Sequence, residues 1–361
     1  MLIRADSFLL IFFFFCNAAV HAQFTISGKV VNDETGLPVA GASIYFNNTS
    51  IGTSSSALGH FSLNSVDILH TELVVSSVGY NVLVVKLDGA TANGKYFLCR
   101  LSIKEQLLKD VLILSDEKKR KWLKKFRENF VGITEDALMS NIENEQDIYF
   151  TRGADDHIFN AYSDQPLVIV NRMLGYKLHF QLVEFSFNEA TGRTYFYGYT
   201  RYEELGDKKS HARNRLKAYT GSTLHFYRAL LKDQLQKEGF DIYLIKKVQI
   251  DSSALPMSVA VGTSCSKILS TDTSDRGYHR ITVTGKLMVQ FKKDPASKYY
   301  LKNKRFLQGN MPVGVRSFII PNTPFILIDD NGILADPLCV EYSGFWIYEK
   351  AANLLPYNYQ P

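Results

Sequence analysis

The chain has 361 residues, of which 46% are hydrophobic and 13% aromatic, so it can build two globular domains with sizeable cores. Its net charge of +5 is small for this length and argues against a dedicated nucleic-acid-binding protein, which concentrates basic residues on one face. Beyond the N-terminus no run reaches the ~18 apolar residues of a membrane-spanning helix, so none is expected in the mature chain.

Residues 1–22 have the pattern of a secretory signal peptide. Arg4 precedes the apolar run Phe8–Phe15, and Val20-His21-Ala22 provides a small-residue cleavage site. The run is too short to span a membrane. We therefore expect cleavage after Ala22 and export of the mature protein. Cys16 leaves lipidation as an alternative, although three phenylalanines precede it where a lipoprotein signal needs small residues.

Residues 24–87 predict a small all-β unit. Residues 26, 28 and 30 alternate with polar neighbours, as in a half-buried strand, and the polar run 32–36 ends in a glycine suited to a turn. Further strand patterns follow, with turn signals about every 8–12 residues. A last strand at 96–101 would complete a β-sandwich.

The same residues carry a family resemblance, through the motifs Ile26-x-Gly28-x-Val30, Gly36-x-Pro38-x-x-Gly41-Ala42-x-Ile44, Gly52-Thr53, Gly59-x-Phe61-x-Leu63 and Ser77-Val78-Gly79-Tyr80. They resemble the carboxypeptidase-regulatory-like domain, a transthyretin-like sandwich that accompanies metallocarboxypeptidases and TonB-dependent outer-membrane receptors of the Bacteroidetes. The resemblance implies a seven-stranded-type β-sandwich over 23–103. His60 departs from the receptor pattern, which usually has aspartate there.

Neither of the usual neighbours of this domain is expected here. No histidine is followed three residues later by glutamate, and no HExxH occurs, so the zinc ligands of a metalloprotease are missing. The chain is also too short after this domain for a receptor plug and barrel. Serine-hydrolase (GxSxG) and P-loop motifs are absent as well. We therefore expect no metal, no cofactor and no catalytic residue.

Residues 104–130 are predicted to form an exit strand and a basic linker helix. The strand, Leu107–Leu114, resembles the segment that follows this domain in TonB-dependent receptors. In the helix, Asp116–Phe130, an apolar stripe that includes Trp122 and Phe126 opposes seven lysines and arginines. Two interpretations stay open. The helix lies on an anionic membrane surface, or it is a solvated helix that docks through Trp122 and Phe126.

Residues 131–361 predict an aromatic-rich α+β domain with a mostly antiparallel sheet. Strands at 176–187 and 193–201 are separated by a turn and should pair as a hairpin. A helix is expected over 222–238, between the N-cap Ser222 and Gly239. The segment Arg213–Leu230 and the ending Leu354–Tyr359 are similar to those of uncharacterised exported Bacteroidetes proteins.

Two groups of candidate ligand-binding residues lie in this domain. Alternation along the second hairpin strand puts the tyrosines on one face, where they could stack on sugar rings or pack against a helix. The arginines and the histidine could hold a phosphate, a uronate or another carboxylate, or make polar contacts between elements. The two groups are Tyr195, Tyr197 and Tyr199, and Arg213, Arg215, His225 and Arg228.

Three cysteines remain after cleavage, and their wide spacing excludes a zinc ribbon and a redox CxxC motif. At most one disulfide is possible, with Cys265–Cys339 as the pairing considered, and buried free thiols at Cys99, Cys265 and Cys339 are the favoured interpretation.

Together these features predict an exported, non-catalytic binding or docking protein of the bacterial cell envelope. It would lie in the periplasm or at the outer membrane and cell surface, and its partner would be a glycan or an envelope protein. Two alternatives stay open: a hydrolase of envelope polymers with an unidentified carboxylate site, and a structural scaffold at the outer membrane.

Overall fold

The computed structural model describes residues 24–65, 72–87, 92–104, 114–153, 155–206, 208–248, 257–271, 277–293 and 314–361. The predicted signal peptide and most of the predicted exit strand lie outside these residues. In the described part of the chain no helix is long and apolar enough to cross a membrane. Strands make up most of the regular structure, which confirms the predicted mainly β, α+β class.

The N-terminal segment folds into the expected seven-stranded sandwich. Its strands are Phe24–Asn32 (β1), Ser43–Phe46 (β2), Gly52–Ser54 (β3), His60–Ser65 (β4), Glu72–Ser76 (β5), Leu83–Lys86 (β6) and Tyr96–Leu101 (β7). One sheet has the order β4-β1-β7 and the other β3-β2-β5-β6. Phe24, Ile26 and Val30 face the core between the sheets, because alternate side chains of a strand point to the same side.

Gly28, which belongs to the family pattern, sits where the sandwich leaves no room for a side chain. A Cβ at this position would lie 2.2 Å from the carbonyl oxygen of Phe97 on β7 and 2.6 Å from the ring of Phe61 on β4. The glycine therefore lets β1 approach both neighbours closely.

The basic helix has the predicted bounds, Asp116–Phe130 (α1), and begins at Ser115, whose side chain accepts a hydrogen bond from the N–H of Lys118. The two rings at the centre of its apolar stripe are buried, with Trp122 1% exposed and Phe126 0% exposed. The stripe docks on the protein's own central sheet. Docking favours the linker-helix interpretation, because the same stripe cannot also insert into a membrane.

A six-stranded antiparallel sheet lies under α1. After the short helix Glu135–Leu138 (α2), its strands are Ser140–Ile142 (β8), Ile148–Arg152 (β9), Ile158–Ser163 (β10), Leu167–Asn171 (β11), Tyr176–Asn188 (β12) and Thr194–Glu204 (β13). The order is β8-β11-β12-β10-β9, and β13 pairs with β12 along almost its whole length. The predicted hairpin is therefore confirmed, with a bulge between Leu182 and Glu184.

Most of the remaining elements pack around a second core, whereas Tyr219 at the end of the next helix and the C-terminal Ala351, Ala352 and Leu355 belong to the first core. The helices that follow β13 are Lys209–Tyr219 (α3), Thr223–Leu231 (α4), Leu235–Glu238 (α5) and Cys265–Ile268 (α6). The strands that follow β13 are Phe240–Val248 (β14), Met257–Gly262 (β15), Leu269–Thr271 (β16), Tyr278–Ile281 (β17), Lys286–Phe291 (β18), Val315–Pro321 (β19), Ile326–Asp329 (β20) and Val340–Gly344 (β21). Short 3₁₀ helices span Glu145–Asp147, Pro337–Cys339 and Phe345–Tyr348.

These strands form two antiparallel sheets, β15-β14-β18-β19-β21 and β16-β17-β20. The described residues of the 131–361 region thus contain three sheets and two hydrophobic cores, where the sequence had indicated one sheet. Strand patterns show which residues are extended, but not how strands are shared between sheets.

The helix predicted over 222–238 is wrong in its middle. α4 ends at Leu231, and Asp233 then takes a φ of 51°, a left-handed conformation that interrupts a right-handed helix. The predicted ends are confirmed: Ser222 caps α4, and Gly239 ends α5 with a φ of 96°.

The cysteines follow the favoured interpretation, and the alternative Cys265–Cys339 disulfide is not formed. Cys99, Cys265 and Cys339 are all buried free thiols. Burial raises the pKa of Cys99 and Cys339 to about 11 and that of Cys265 to about 12, so these thiols stay protonated and unreactive.

Candidate functional site

One loop of the N-terminal sandwich, residues 47–50, docks on the free edge of β13. The N–H of Asn48 donates to the carbonyl oxygen of Thr200 at 2.7 Å, and the N–H of Tyr202 donates to that of Thr49 at 2.9 Å. An isolated β-bridge joins Thr49 to Arg201. The loop therefore adds a short piece of strand to the central sheet.

The last described residues of the chain reach the same loop. The N–H of Tyr357 donates to the carbonyl oxygen of Asn48 at 2.7 Å. Asn358 and Ser50 bond reciprocally. The Ser50 N–H donates to Asn358 Oδ1 at 3.1 Å, and Asn358 Nδ2 donates to Ser50 Oγ at 2.8 Å. Three distant parts of the chain thus meet at one junction.

Arg228, on α4, holds the C-terminal segment in this place. Its side chain is 7% exposed. Its Nε donates to the carbonyl oxygen of Asn331 at 3.1 Å, Nη1 to that of Tyr359 at 2.8 Å, and Nη2 to that of Tyr357 at 2.9 Å. The guanidinium therefore binds the main chain of the protein itself and acts as a structural clamp.

His225, one turn earlier on α4, is also buried, at 7% exposure. Its Nδ1 accepts a hydrogen bond from the N–H of Gly221 at 3.0 Å, and its Nε2 lies 3.3 Å from the Glu238 carboxylate. Because Gly221 can only donate, the ring is the neutral tautomer that carries its proton on Nε2. Burial lowers the pKa of His225 below its usual value, and the Glu238 carboxylate opposes that shift.

This histidine gives stability a pH dependence of known sign. In the unfolded chain His225 takes up a proton near pH ~6.5, whereas the folded protein resists protonation to a lower pH. The free energy of unfolding should therefore fall as the pH drops below ~6.5, by up to about 1.4 kcal/mol per pH unit. Urea titrations across this range would measure the slope. We expect the free energy of unfolding of His225→Gln to depend less steeply on pH than that of the wild type. An equal slope in the two proteins would contradict the assignment of this pH dependence to His225.

A cavity of about 580 Å³ opens where the three segments meet, within the usual size range of small-molecule sites. Its walls combine aromatic rings, two arginines, one carboxylate, amides and a hydroxyl. The lining residues are Ser50, Tyr176, Glu204, Ala212, Arg213, Arg215, Leu216, Pro356, Asn358, Tyr359, Gln360 and Pro361.

The two arginines of the pocket differ in whether other residues of the protein already bind their guanidinium groups. Arg215 stacks 3.8 Å over the ring of Tyr176, donates to the carbonyl oxygens of Leu174 and Gly175, and lies 3.5 Å from Glu204. Arg213 is exposed and forms no ion pair within the described part of the chain. Arg213 is therefore the cation that is available to a ligand.

The tyrosine stripe lies on the face of the central sheet that points away from α1. The intervening Phe196 packs edge-on against Phe130 of α1, at 5.2 Å between ring centroids, so its neighbours on β13 point the other way. Tyr195 is 38% exposed. Tyr197 and Tyr199 are half-buried, with a 3.3 Å hydrogen bond between their hydroxyls. The stripe therefore does not pack against that helix.

The comparisons with known proteins concern mainly the N-terminal sandwich. Residues 26–113 match the family model of the CarboxypepD_reg-like domain. The resemblance predicted from the motifs is confirmed over this segment. No curated protein matches the chain.

Two similar solved structures come from Bacteroides species. One, from Bacteroides fragilis, is a protein of unknown function whose name suggests membrane association; identity is 9%, over 84% of this chain and 92% of that chain, with a TM-score of 0.18. The other, from Bacteroides uniformis, is named as a candidate carbohydrate-binding protein; identity is 6%, over 84% of this chain and 98% of that chain, with a TM-score of 0.18. Scores this low do not establish a shared fold.

The structure brings the predicted basic residues to one region, in different roles. Arg213 and Arg215 line the pocket, and Arg228 fixes its C-terminal wall. His225 reaches the pocket only through Tyr219, whose ring centroid lies 4.8 Å from that of His225 and 5.8 Å from that of Tyr359. The three stripe tyrosines lie elsewhere, on the face of the central sheet opposite α1.

Sequence reasoning missed Ser50, Tyr176, Glu204 and Asn358 as pocket residues. Ser50 belongs to the CarboxypepD_reg-like domain, in a loop whose sequence indicated only a polar turn. Asn358 falls in the ending Leu354–Tyr359, whose resemblance to other exported proteins was the one signal that could have drawn attention to it.

Proposed function

We propose that this chain is an exported, non-catalytic binding protein of the bacterial cell envelope, and that the junction pocket recognises an acidic saccharide, such as a uronic-acid oligosaccharide. One observation supports this function above the others. The pocket is lined both by the exposed guanidinium of Arg213, which forms no ion pair within the described residues, and by the half-buried ring of Tyr359.

The groups in the pocket suit this ligand chemically. A guanidinium presents a fork of N–H donors that matches a carboxylate, and a charge-assisted hydrogen bond is stronger than a neutral one. The half-buried ring of Tyr359 supplies apolar area for the carbon face of a sugar, whereas the ring of Tyr176 is buried under Arg215. The amides of Asn358 and Gln360 can donate to and accept from hydroxyls. A few polar groups in an otherwise apolar cleft provide orientation and specificity.

The pocket supports binding better than hydrolysis. Glycosidases use two carboxyl groups, about 5–10 Å apart, to protonate the leaving group and to assist the attack. Among the described side chains that line the pocket, Glu204 is the only acid, and Arg215 lies 3.5 Å from it. A concave site of this volume also suits a saccharide better than the flat surface of a partner protein.

The tyrosine stripe is proposed as a second contact surface for sugar rings. Tyr195 is the member that a ring could reach, because Tyr197 and Tyr199 are turned towards each other and half-buried. The stripe adds to the proposed function, but its loss should leave the pocket intact.

The proposed function is tested by Arg213→Gln. We expect this variant to bind a glucuronic-acid oligosaccharide at least about ten-fold more weakly, because a hydrogen bond to a charged group contributes about 1.5–3 kcal/mol. Calorimetric titration of residues 23–361 measures the affinity. Arg193→Gln, an exposed arginine outside the pocket lining, serves as the matched control.

A neutral glucose oligosaccharide of the same length provides the second comparison. Wild-type protein should prefer the acidic ligand, and Arg213→Gln should lose most of that preference. Equal affinity of the wild type for both ligands, or no affinity for either, would refute the proposed function.

A further inference from the structure

We infer that the CarboxypepD_reg-like domain forms one wall of the ligand pocket, in which Ser50 contacts the ligand and Asn48 positions the loop that carries it. The part of the inference that concerns ligand contact rests on the proposed function. The part that concerns docking of the domain does not.

Asn48 has a left-handed backbone conformation, which is uncommon outside glycine. Its φ is 57°, and among the described residues it shares a positive φ, outside glycine, only with Asp233. Such conformations persist where surrounding contacts hold them, and they concentrate at functional sites. In this conformation the Asn48 N–H reaches Thr200 on β13, while its carbonyl oxygen accepts from Tyr357. One residue therefore joins the domain, the central sheet and the C-terminal segment.

Ser50 is placed to use its hydroxyl on a ligand. It lines the pocket, and its Oγ accepts the hydrogen bond from Asn358 Nδ2. Because that bond occupies the acceptor side of the hydroxyl, the O–H proton is left to donate. A carboxylate or hydroxyl oxygen of a saccharide is the matching acceptor. The domain thus contributes a hydroxyl donor to the pocket.

A second contact joins the domain to the central sheet, at a point away from the loop 47–50. Lys104, just beyond β7, forms a 2.7 Å ion pair with Asp164, at the end of β10. Near the loop, Gly52 packs so closely that a Cβ there would lie 3.1 Å from the Arg201 side chain. The domain therefore contacts the rest of the chain at two separate points, of which the exposed Lys104–Asp164 pair contributes little and the loop 47–50 provides the main attachment.

Three variants and a control test the inference in residues 23–361. Valine at position 48 resists a positive φ because it is β-branched, whereas glycine accepts one freely. We therefore expect Asn48→Val to bind the glucuronic-acid oligosaccharide at least ten-fold more weakly, and Asn48→Gly to stay close to wild type. Ser50→Ala should bind about five-fold more weakly, the effect of one neutral hydrogen bond. Ser54→Ala, an exposed serine on β3, should change nothing.

Thermal unfolding of the same proteins supplies a readout that needs no ligand. The wild type and Asn48→Gly should unfold in one transition. Asn48→Val should show an earlier, separate transition as the domain undocks. Wild-type affinity in both Asn48→Val and Ser50→Ala, while Arg213→Gln is impaired, would overturn the inference and leave the proposed function standing.

If the wild type binds no saccharide, the proposed function fails and the unfolding data decide on docking alone. A separate transition in Asn48→Val, but not in Asn48→Gly, would then support a docked domain. A single unchanged transition in both variants would overturn it.

Discussion

Trp122→Ala should lower the free energy of unfolding by about 3–5 kcal/mol, the usual cost of truncating a buried aromatic residue to alanine. Trp122 is 1% exposed. Its ring stacks on Phe159 at 4.7 Å and meets the edge of Phe150 at 5.8 Å. Alanine would leave a cavity between α1 and the central sheet that the rigid sheet cannot close. Urea denaturation followed by circular dichroism measures the loss.

Lys121→Ala is the matched control, one residue away on the same helix. Lys121 is exposed, and its nearest acidic partner, Glu189, is 3.8 Å away, so we expect a change within about 0.5 kcal/mol. The comparison also separates the two interpretations of the basic helix. If the apolar face of α1 were kept free for a membrane surface, Trp122→Ala would lower the free energy of unfolding no more than Lys121→Ala. That outcome would contradict the docked helix.

α1 shows what a sequence can predict well. Its bounds followed from the acidic first turn, the periodic stripe around Trp122 and Phe126, and the glycine at 132, which are all local signals. The CarboxypepD_reg-like domain could be predicted equally well, because its turn residues and its alternation of apolar and polar residues recur within a short stretch of sequence. The periodicity could not show what covers the stripe. The two interpretations stayed open until the central sheet was located.

The pocket could not be predicted from the sequence, because its residues come from distant parts of the chain. Ser50 and Asn358, which bond directly, are 308 residues apart in the chain, and no pattern along the sequence connects them. The i, i+3 spacing correctly placed His225 and Arg228 near each other on α4. It could not show that this face is buried and that the Arg228 donors bind main-chain oxygens. Of the four basic candidates, Arg213, on the exposed surface of α3, is the one to which the proposed function gives a ligand contact.

Arg228→Met should destabilise the protein by about 3 kcal/mol, because it leaves three partly buried carbonyls without a donor and each such loss costs about 1–3 kcal/mol at most. Methionine keeps much of the side-chain volume but satisfies none of the oxygens of Asn331, Tyr357 and Tyr359. Removing a buried charge offsets part of this cost. Arg228→Lys should be intermediate, since one ammonium lacks the planar fork that spans the three carbonyls.

The effect should extend to the pocket, because Arg228 holds the segment that carries Asn358 and Tyr359. We expect Arg228→Met to lose both stability and saccharide affinity, whereas Arg213→Gln should lose affinity alone. Denaturation and calorimetric titration of both variants give the comparison. An Arg228→Met protein with wild-type stability would contradict the clamp. Reduced stability with unchanged affinity would show that the C-terminal segment is not a wall of the binding site. Only the combined loss assigns Arg228 its role, as a buried positioning residue that touches no ligand.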